Sequence, residues 1–239
     1  MLKKSIKSMS LVVGLTMLTQ SAPIAALNLD TLFLSSNKNG NGIFTASNST
    51  QAKEYIKVTV VKVDVQGNKL IKTPLTRDNF LEWDLVVNPA KTMLQPGESK
   101  NFAVKYLCKE DCFRETDSLY QVRFVPTAPP GDKEGTHVSI RFGMAPYYVI
   151  PATEQHVEYS LDINDDTHSV TIDNTGNTFL KVEFNACNVL LMDNKNCRAV
   201  YQILAGRSRT IDLPDSMAGK NVKVTVANHD QSIQEIFTL

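Results

Sequence analysis

The side chains best able to do chemistry in this chain are four cysteines, four histidines and two short charged turns. The cysteines fall into two local pairs, Cys108-Lys-Glu-Asp-Cys112 and Cys187 with Cys197. Thiolates so placed either bind zinc or close disulfides. Cys-x3-Cys would serve as half a zinc site, but Cys187 and Cys197 stand ten apart. His137, His156, His168 and His229 are scattered, with no pair at ligand spacing. No metal site is therefore expected. Local disulfide pairing is the expectation, although four cysteines allow three connectivities. Asp162-Ile-Asn-Asp-Asp166 has the acid density of a calcium loop. Thr167 stands where that loop needs glycine, however, and Asp173 where it needs a bidentate glutamate, so the stretch reads as a polar hairpin turn. Gly206-Arg-Ser-Arg209 is too short to cradle a phosphate and reads as a basic turn. The sequence holds no Gly-x-Ser-x-Gly elbow and no phosphate-binding glycine loop. Neither an enzyme nor a cofactor is expected.

The elements that would position these residues have period two. Tyr55–Val65, Asn101–Leu107, Tyr120–Val125 and His137–Met144 alternate apolar with polar residues. So do Val157–Ile163, Ser169–Asp173, Phe179–Phe184 and Asn221–Val226. Alternation puts one side of each strand in a core and the other in water, the pattern of antiparallel sheets. Gln66-Gly-Asn68, Pro96-Gly97, Asn174-Thr-Gly176 and Ala205-Gly206 punctuate the strands as turns. No long amphipathic helix is seen. The fold class is all-β, as two immunoglobulin-like β-sandwiches, since one such unit takes ~100 residues. The seam is expected near Tyr147–Ala152, because Pro151 cannot donate to a ladder. The units would span 27–150 and 152–239, each with one cysteine pair.

Hydrophobic residues are 42% and charged residues 21% of the 239, which excludes disordered and polytopic membrane classes. The charge balances at 25 basic against 25 acidic residues, which argues against nucleic acid as a partner. Residues 1–26 run from Lys3, Lys4 and Lys7 through an apolar stretch, Leu11–Leu18, to small residues ending at Ala26. This is the order of a cleaved secretory signal, and the apolar run is short of the ~20 residues a spanning helix needs. Cleavage after Ala26 would leave 213 residues, with 22 basic against 25 acidic, net −3. An exported, not membrane-embedded protein is expected, and export is where disulfides persist.

The segment with most to say is Val138-Ser-Ile-Arg-Phe-Gly-Met144. Val138, Ile140, Phe142 and Met144 share one face. One reading is an ordinary core strand. The other is an edge strand that lends its apolar face to a partner. An edge offers unpaired backbone groups, which proteins normally blunt. Strand addition takes affinity from those groups and specificity from alternate side chains.

Five stretches, in order, resemble the periplasmic pilus-assembly chaperones, the PapD-like superfamily, and most of all its alpha-fimbrial or common-pilus branch. They are Leu27-Asn-Leu-Asp30, Val87–Gly97 (Val-Asn-Pro-Ala-Lys-Thr-Met-Leu-Gln-Pro-Gly), Ser118–Pro126, His137–Pro151 and Ser169–Asn177. Cys187, Cys197 and Ala205–Arg209 follow as in that branch. The resemblance implies two immunoglobulin-like domains set as an L or boomerang. It implies a one-to-one complex with a fimbrial subunit, capped by donor-strand complementation and delivered to an outer-membrane usher. Val138, Ile140, Phe142 and Met144 would fill the subunit's groove, and Tyr120, Val122 and Phe124 would lie on the adjacent strand. The family's two cleft basics have no counterpart here, because Leu27–Asn37 and Gly143–Pro151 contain no basic residue. Arg123 and Arg141 are the nearest candidates to anchor a partner's C-terminal carboxylate. The Cys108–Cys112 loop is not a general feature of the family and would stiffen the turn before Tyr120. Two other readings remain: a structural pilin or adhesin subunit built from immunoglobulin-like sandwiches, and a ligand-binding or enzymatic sandwich. The single tryptophan, Trp83, and 8% aromatics give the last little support.

Overall fold

The computed structural model describes residues 27–108, 112–127, 141–164, 166–187, 196–217 and 221–239. Within 27–150 the strands are β1 (Leu27–Leu29), β2 (Phe33–Ser35), β3 (Gly42–Asn48), β4 (Glu54–Gln66) and β5 (Lys69–Pro74), then β6 (Leu85–Asn88), β7 (Lys91–Leu94), β8 (Ser99–Tyr106), β9 (Ser118–Thr127) and β10 (Tyr147–Ile150). They build two sheets, β1-β3-β8-β6 and β2-β10-β9-β4-β5, with β7 pairing the start of β4. Beyond Pro151 come β11 (Tyr159–Asn164), β12 (Ser169–Asn174), β13 (Leu180–Asn185), β14 (Arg198–Ile203), β15 (Ser208–Asp212), β16 (Lys223–Ala227) and β17 (Gln234–Thr238). These make sheets β11-β12-β15 and β14-β13-β16-β17. Among the described residues the helical ones form two 3-10 turns, Arg77–Glu82 and Asp215–Met217. The fold is all-β, two β-sandwich domains.

Alternation builds each core. Ile56, Val58 and Val60 of β4 point inward, with Phe102 and Val104 of β8 and Val122 and Phe124 of β9. Phe124 meets Phe44 and Phe102 edge-on, at ring separations of 5.7 and 5.1 Å. Each such side chain fully buried contributes roughly 1.5–3 kcal/mol. The second core is made the same way, by Ile172, Val182, Phe184, Val224 and Val226. The period fails in β4 after Val60, where Val61 and Val63 are both buried. There the outer face of the sheet is covered too: Val63, Leu119 and Val149 pack with Phe179, and Leu204 joins them from beyond β14.

Polar groups join the domains at the same place. Asp117 Oδ1 accepts the Ala152 N–H at 2.8 Å, and its Oδ2 accepts the Phe179 N–H at 2.7 Å. Asn177 Nδ2 donates to the carbonyls of Glu115 and Glu154, both at 2.8 Å. The β4–β5 hairpin turns on Gly67 and Asn68, both with positive φ, as a two-residue turn matched to strand twist requires. Asn68 then accepts from Arg207 Nη1 at 2.6 Å and from the Ser208 N–H at 3.1 Å. Disulfides join Cys108 to Cys112 and Cys187 to Cys197.

Candidate functional site

β10 is held on both sides. Tyr147–Ile150 pairs antiparallel with β9, and Tyr147–Val149 pairs parallel with β2. Residues 141–146 continue along β9, through Val122 N–H to Pro146 O at 2.9 Å, Phe124 N–H to Met144 O at 2.7 Å and Met144 N–H to Phe124 O at 2.9 Å. On the far side of 141–146, no described residue forms a strand pair. The register makes 122/146 and 124/144 the hydrogen-bonded pairs, so Gly143 and Ala145 aim their N–H and C=O away from β9. The alternating sequence suggests a regular strand through Met144, yet the ladder thins to one bridge there. Pro126, opposite position 142, and Pro146 both lack the N–H a ladder needs.

Phe142 is 64% exposed. Met144 is half-buried opposite Phe124 and Phe142 lies opposite Pro126, so both share the interior-facing side of the sheet. Val138 and Ile140 lie outside the described residues. Tyr120, Val122 and Phe124 sit on β9, beside this segment, with their side chains wholly inside the protein's own core. They offer the segment backbone, not side chains. A Cβ on Gly143 would come within 2.9 Å of the Phe124 carbonyl, so glycine allows this close approach.

The two candidate anchors are differently placed. Arg141 Nε lies 3.4 Å from Glu54 Oε2, so it faces a carboxylate of its own chain. Arg123 Nε donates to Gln121 Oε1 at 3.2 Å, and Gln121 Nε2 donates in turn to the Ala145 carbonyl at 3.3 Å.

One feature escaped the sequence. A cleft of about 720 Å³ lies between the sandwiches, lined by Lys62, Asp64, Asp117, Gly176 and Gly206. Lys62 Nζ is 3.0 Å from Asp84 Oδ2. Burial pulls the lysine's pKa down, but Asp84 outweighs it and holds it raised. Burial pushes the Asp117 carboxyl up, against the two N–H groups it accepts. Burial, reinforced by Asp84, keeps the Tyr120 phenol far above its usual range. These groups come from β4, the β5–β6 connection, β9 and the residue just before it, and no short motif links them. Among the described residues no cluster of His, Cys, Asp and Glu could hold a metal, and no helix is long and apolar enough to cross a membrane.

Residues 29–151, just over half the chain, match the model of the CS5 fimbrial protein N-terminal domain. The chain belongs to this CS5 fimbrial family. The matched stretch contains β2 through β10, and with them the whole of the edge just described. The fold is shared with solved fimbrial chaperone structures. The class 5 fimbriae chaperone CfaA aligns over 89% of this chain and 98% of its own, at 17% identity and TM-score 0.53. A chain from a Salmonella enterica complex of SafA pilin with the SafB chaperone aligns over 92% and 99%, at 8% identity and TM-score 0.54. A chain from a chaperone–tip adhesin complex of CFA/I fimbriae biogenesis aligns over 90% and 98%, at 18% identity and TM-score 0.52. Among curated proteins none matches this sequence.

Proposed function

We propose that this CS5-family protein is a periplasmic chaperone for fimbrial subunits. It caps a subunit in a one-to-one complex by lending it the strand that ends at Met144, and it passes the subunit to an outer-membrane usher. In this reading residues 1–26 direct export, and the domains are 27–150 and 152–239. Val138, Ile140, Phe142 and Met144 enter the subunit's groove. The single observation that carries the reading is the one-sided pairing of 141–146, with Phe142 exposed on the inward-facing side. Support comes from the fold, which this chain shares with a class 5 fimbriae chaperone and with chains from complexes of chaperones with a pilin and with a tip adhesin. The mechanism needs no covalent step. Main-chain hydrogen bonds give affinity, and each groove-filling side chain adds roughly 1.5–3 kcal/mol before association costs. A lent strand leaves when a better-fitting one displaces it.

The test is co-expression with a fimbrial subunit from the same genome, followed by purification on a tag carried by the chaperone. The wild type should retain the subunit one to one. Phe142→Asp combined with Ile140→Asp should lose it while keeping the wild-type melting temperature. Retention of the subunit by the double variant would overturn the assignment of the strand.

A further inference from the structure

The outer face beside the open edge is positively charged, and the reason lies in the strand register. Lys57 of β4 stands directly opposite Lys91 of β7 and, on its other side, opposite Val125 of β9. Arg123, two residues from Val125, is the diagonal neighbour of Lys57. Like charges placed opposite one another destabilise a sheet. Among the described residues no acid forms an ion pair with Lys57, Lys91 or Arg123, and nearby Glu54 faces Arg141. Apolar surface adjoins the charges, since Val125 and Met93 are 40% and 38% exposed.

The small residues of the edge give this charge a direction. The pairing that sets Phe124 opposite Met144 sets Arg123 opposite Ala145 and Val125 opposite Gly143. A strand added to 141–146 would lie one spacing of ~4.8 Å further out and continue the same outer face. Between it and Arg123 stand a methyl group and a glycine, so nothing bulky blocks the guanidinium. Gln121, only 9% exposed, fixes Nε of Arg123 and ties the arrangement to the Ala145 carbonyl at the edge itself.

We propose that Arg123 selects the partner strand by charge, pairing with an acidic side chain on its outward face while its inward face supplies the apolar contacts. Lys57 and Lys91, on the strands behind, add attraction at longer range and speed encounter with an acidic rim. This rests on the strand-lending reading and adds to it a chemistry for the partner: alternation of apolar residues with acids. Arg123 thus takes a side-chain carboxylate along the strand.

The experiment measures dissociation of that same fimbrial subunit from the chaperone between 50 and 400 mM NaCl, for wild type, Arg123→Gln, Arg123→Lys and Phe142→Asp. The wild-type complex should dissociate faster as salt rises. Arg123→Gln should dissociate about two- to fivefold faster at low salt, with a flatter salt dependence, and Arg123→Lys should restore most of both. If Arg123→Gln matches the wild type in rate and salt dependence while Phe142→Asp loses the subunit, charge selection is wrong and strand lending stands. If Phe142→Asp also matches the wild type, or the wild type takes no subunit, strand lending falls and this proposal with it.

Discussion

Two adjacent stretches share one neighbour and differ in the other. Tyr147–Ile150 has β9 on one side and β2 on the other, and Tyr148, Val149 and Ile150 are buried to 1% exposure or less. Residues 141–146 have β9 alone among the described residues, and Phe142 stands 64% exposed. The backbone runs unbroken from one to the other along β9. Its C-terminal half is bolted into the sandwich, which fixes the direction in which its N-terminal half extends. On the proposed function, residues 141–146 would then be presented at a set angle, with much of the entropy of ordering them lost before a partner arrives.

The largest effects should separate these halves. Tyr148→Ala removes a ring from the core and the hydrogen bond its hydroxyl donates to the Gly40 carbonyl at 2.8 Å. It should cost ~3–5 kcal/mol in urea unfolding. Phe142→Asp should leave unfolding within ~0.5 kcal/mol of wild type and abolish subunit capture. Equal stability losses at the two positions would erase the distinction.

Next in size is the joint below β10. Asp117→Ala strands the N–H groups of Ala152 and Phe179 and should cost ~1–3 kcal/mol per group left buried without an acceptor. Small-angle scattering should show a wider spread of interdomain distances, while the 141–146 segment keeps its pairing with β9. A scattering curve unchanged from wild type would mean that apolar packing around Phe179 sets the angle alone.

Gly143→Ala acts on the one-sided segment itself. Its Cβ would press on the Phe124 carbonyl, the acceptor of the Met144 N–H. Faster amide exchange at Met144 is expected, with that at Val149 unchanged. Spread of the effect into β10 would show that the two halves move as one.

The smallest effect is a control far from the edge. Arg198 hydrogen-bonds Glu183 across β13 and β14 and holds its carboxyl below the ordinary value, against a smaller opposing effect of burial. A depressed folded-state pKa contributes stability above the unfolded value of ~4.3, and that contribution is lost as pH falls through the folded value. Glu183→Gln should lower the urea midpoint slightly at pH 7 and not at pH 2, with subunit capture unaffected at neutral pH.

Much of the frame was legible in the residues. β4, β8, β9, β12 and β13 show their alternation because each has neighbours on both sides and one face in a core. β14, β15 and β17 were not legible; all three end their sheets, but so does β11, which was read from Val157–Ile163, so edge position alone does not hide a strand. Val200 of β14 and Ile236 of β17 are 38% and 55% exposed, so residue type there does not report burial. The site was half legible: the shared face of Phe142 and Met144 is a local property of spacing. Gln121 and Arg123 gave no sign of converging on Ala145, because that depends on register between strands distant in sequence.

The order of residues along the chain determined which side chains fall on the same side of a strand, since that period comes from the extended backbone itself. It also placed the cysteines close enough to pair locally. Only the tertiary structure decided that β2 begins at Phe33, after β1 has paired with β3 in the other sheet, so that it shields Tyr147–Val149 and leaves 141–146 uncovered by any described strand. Whether a strand has a second neighbour is settled by the path of the rest of the chain, and no local pattern of residues carries that information.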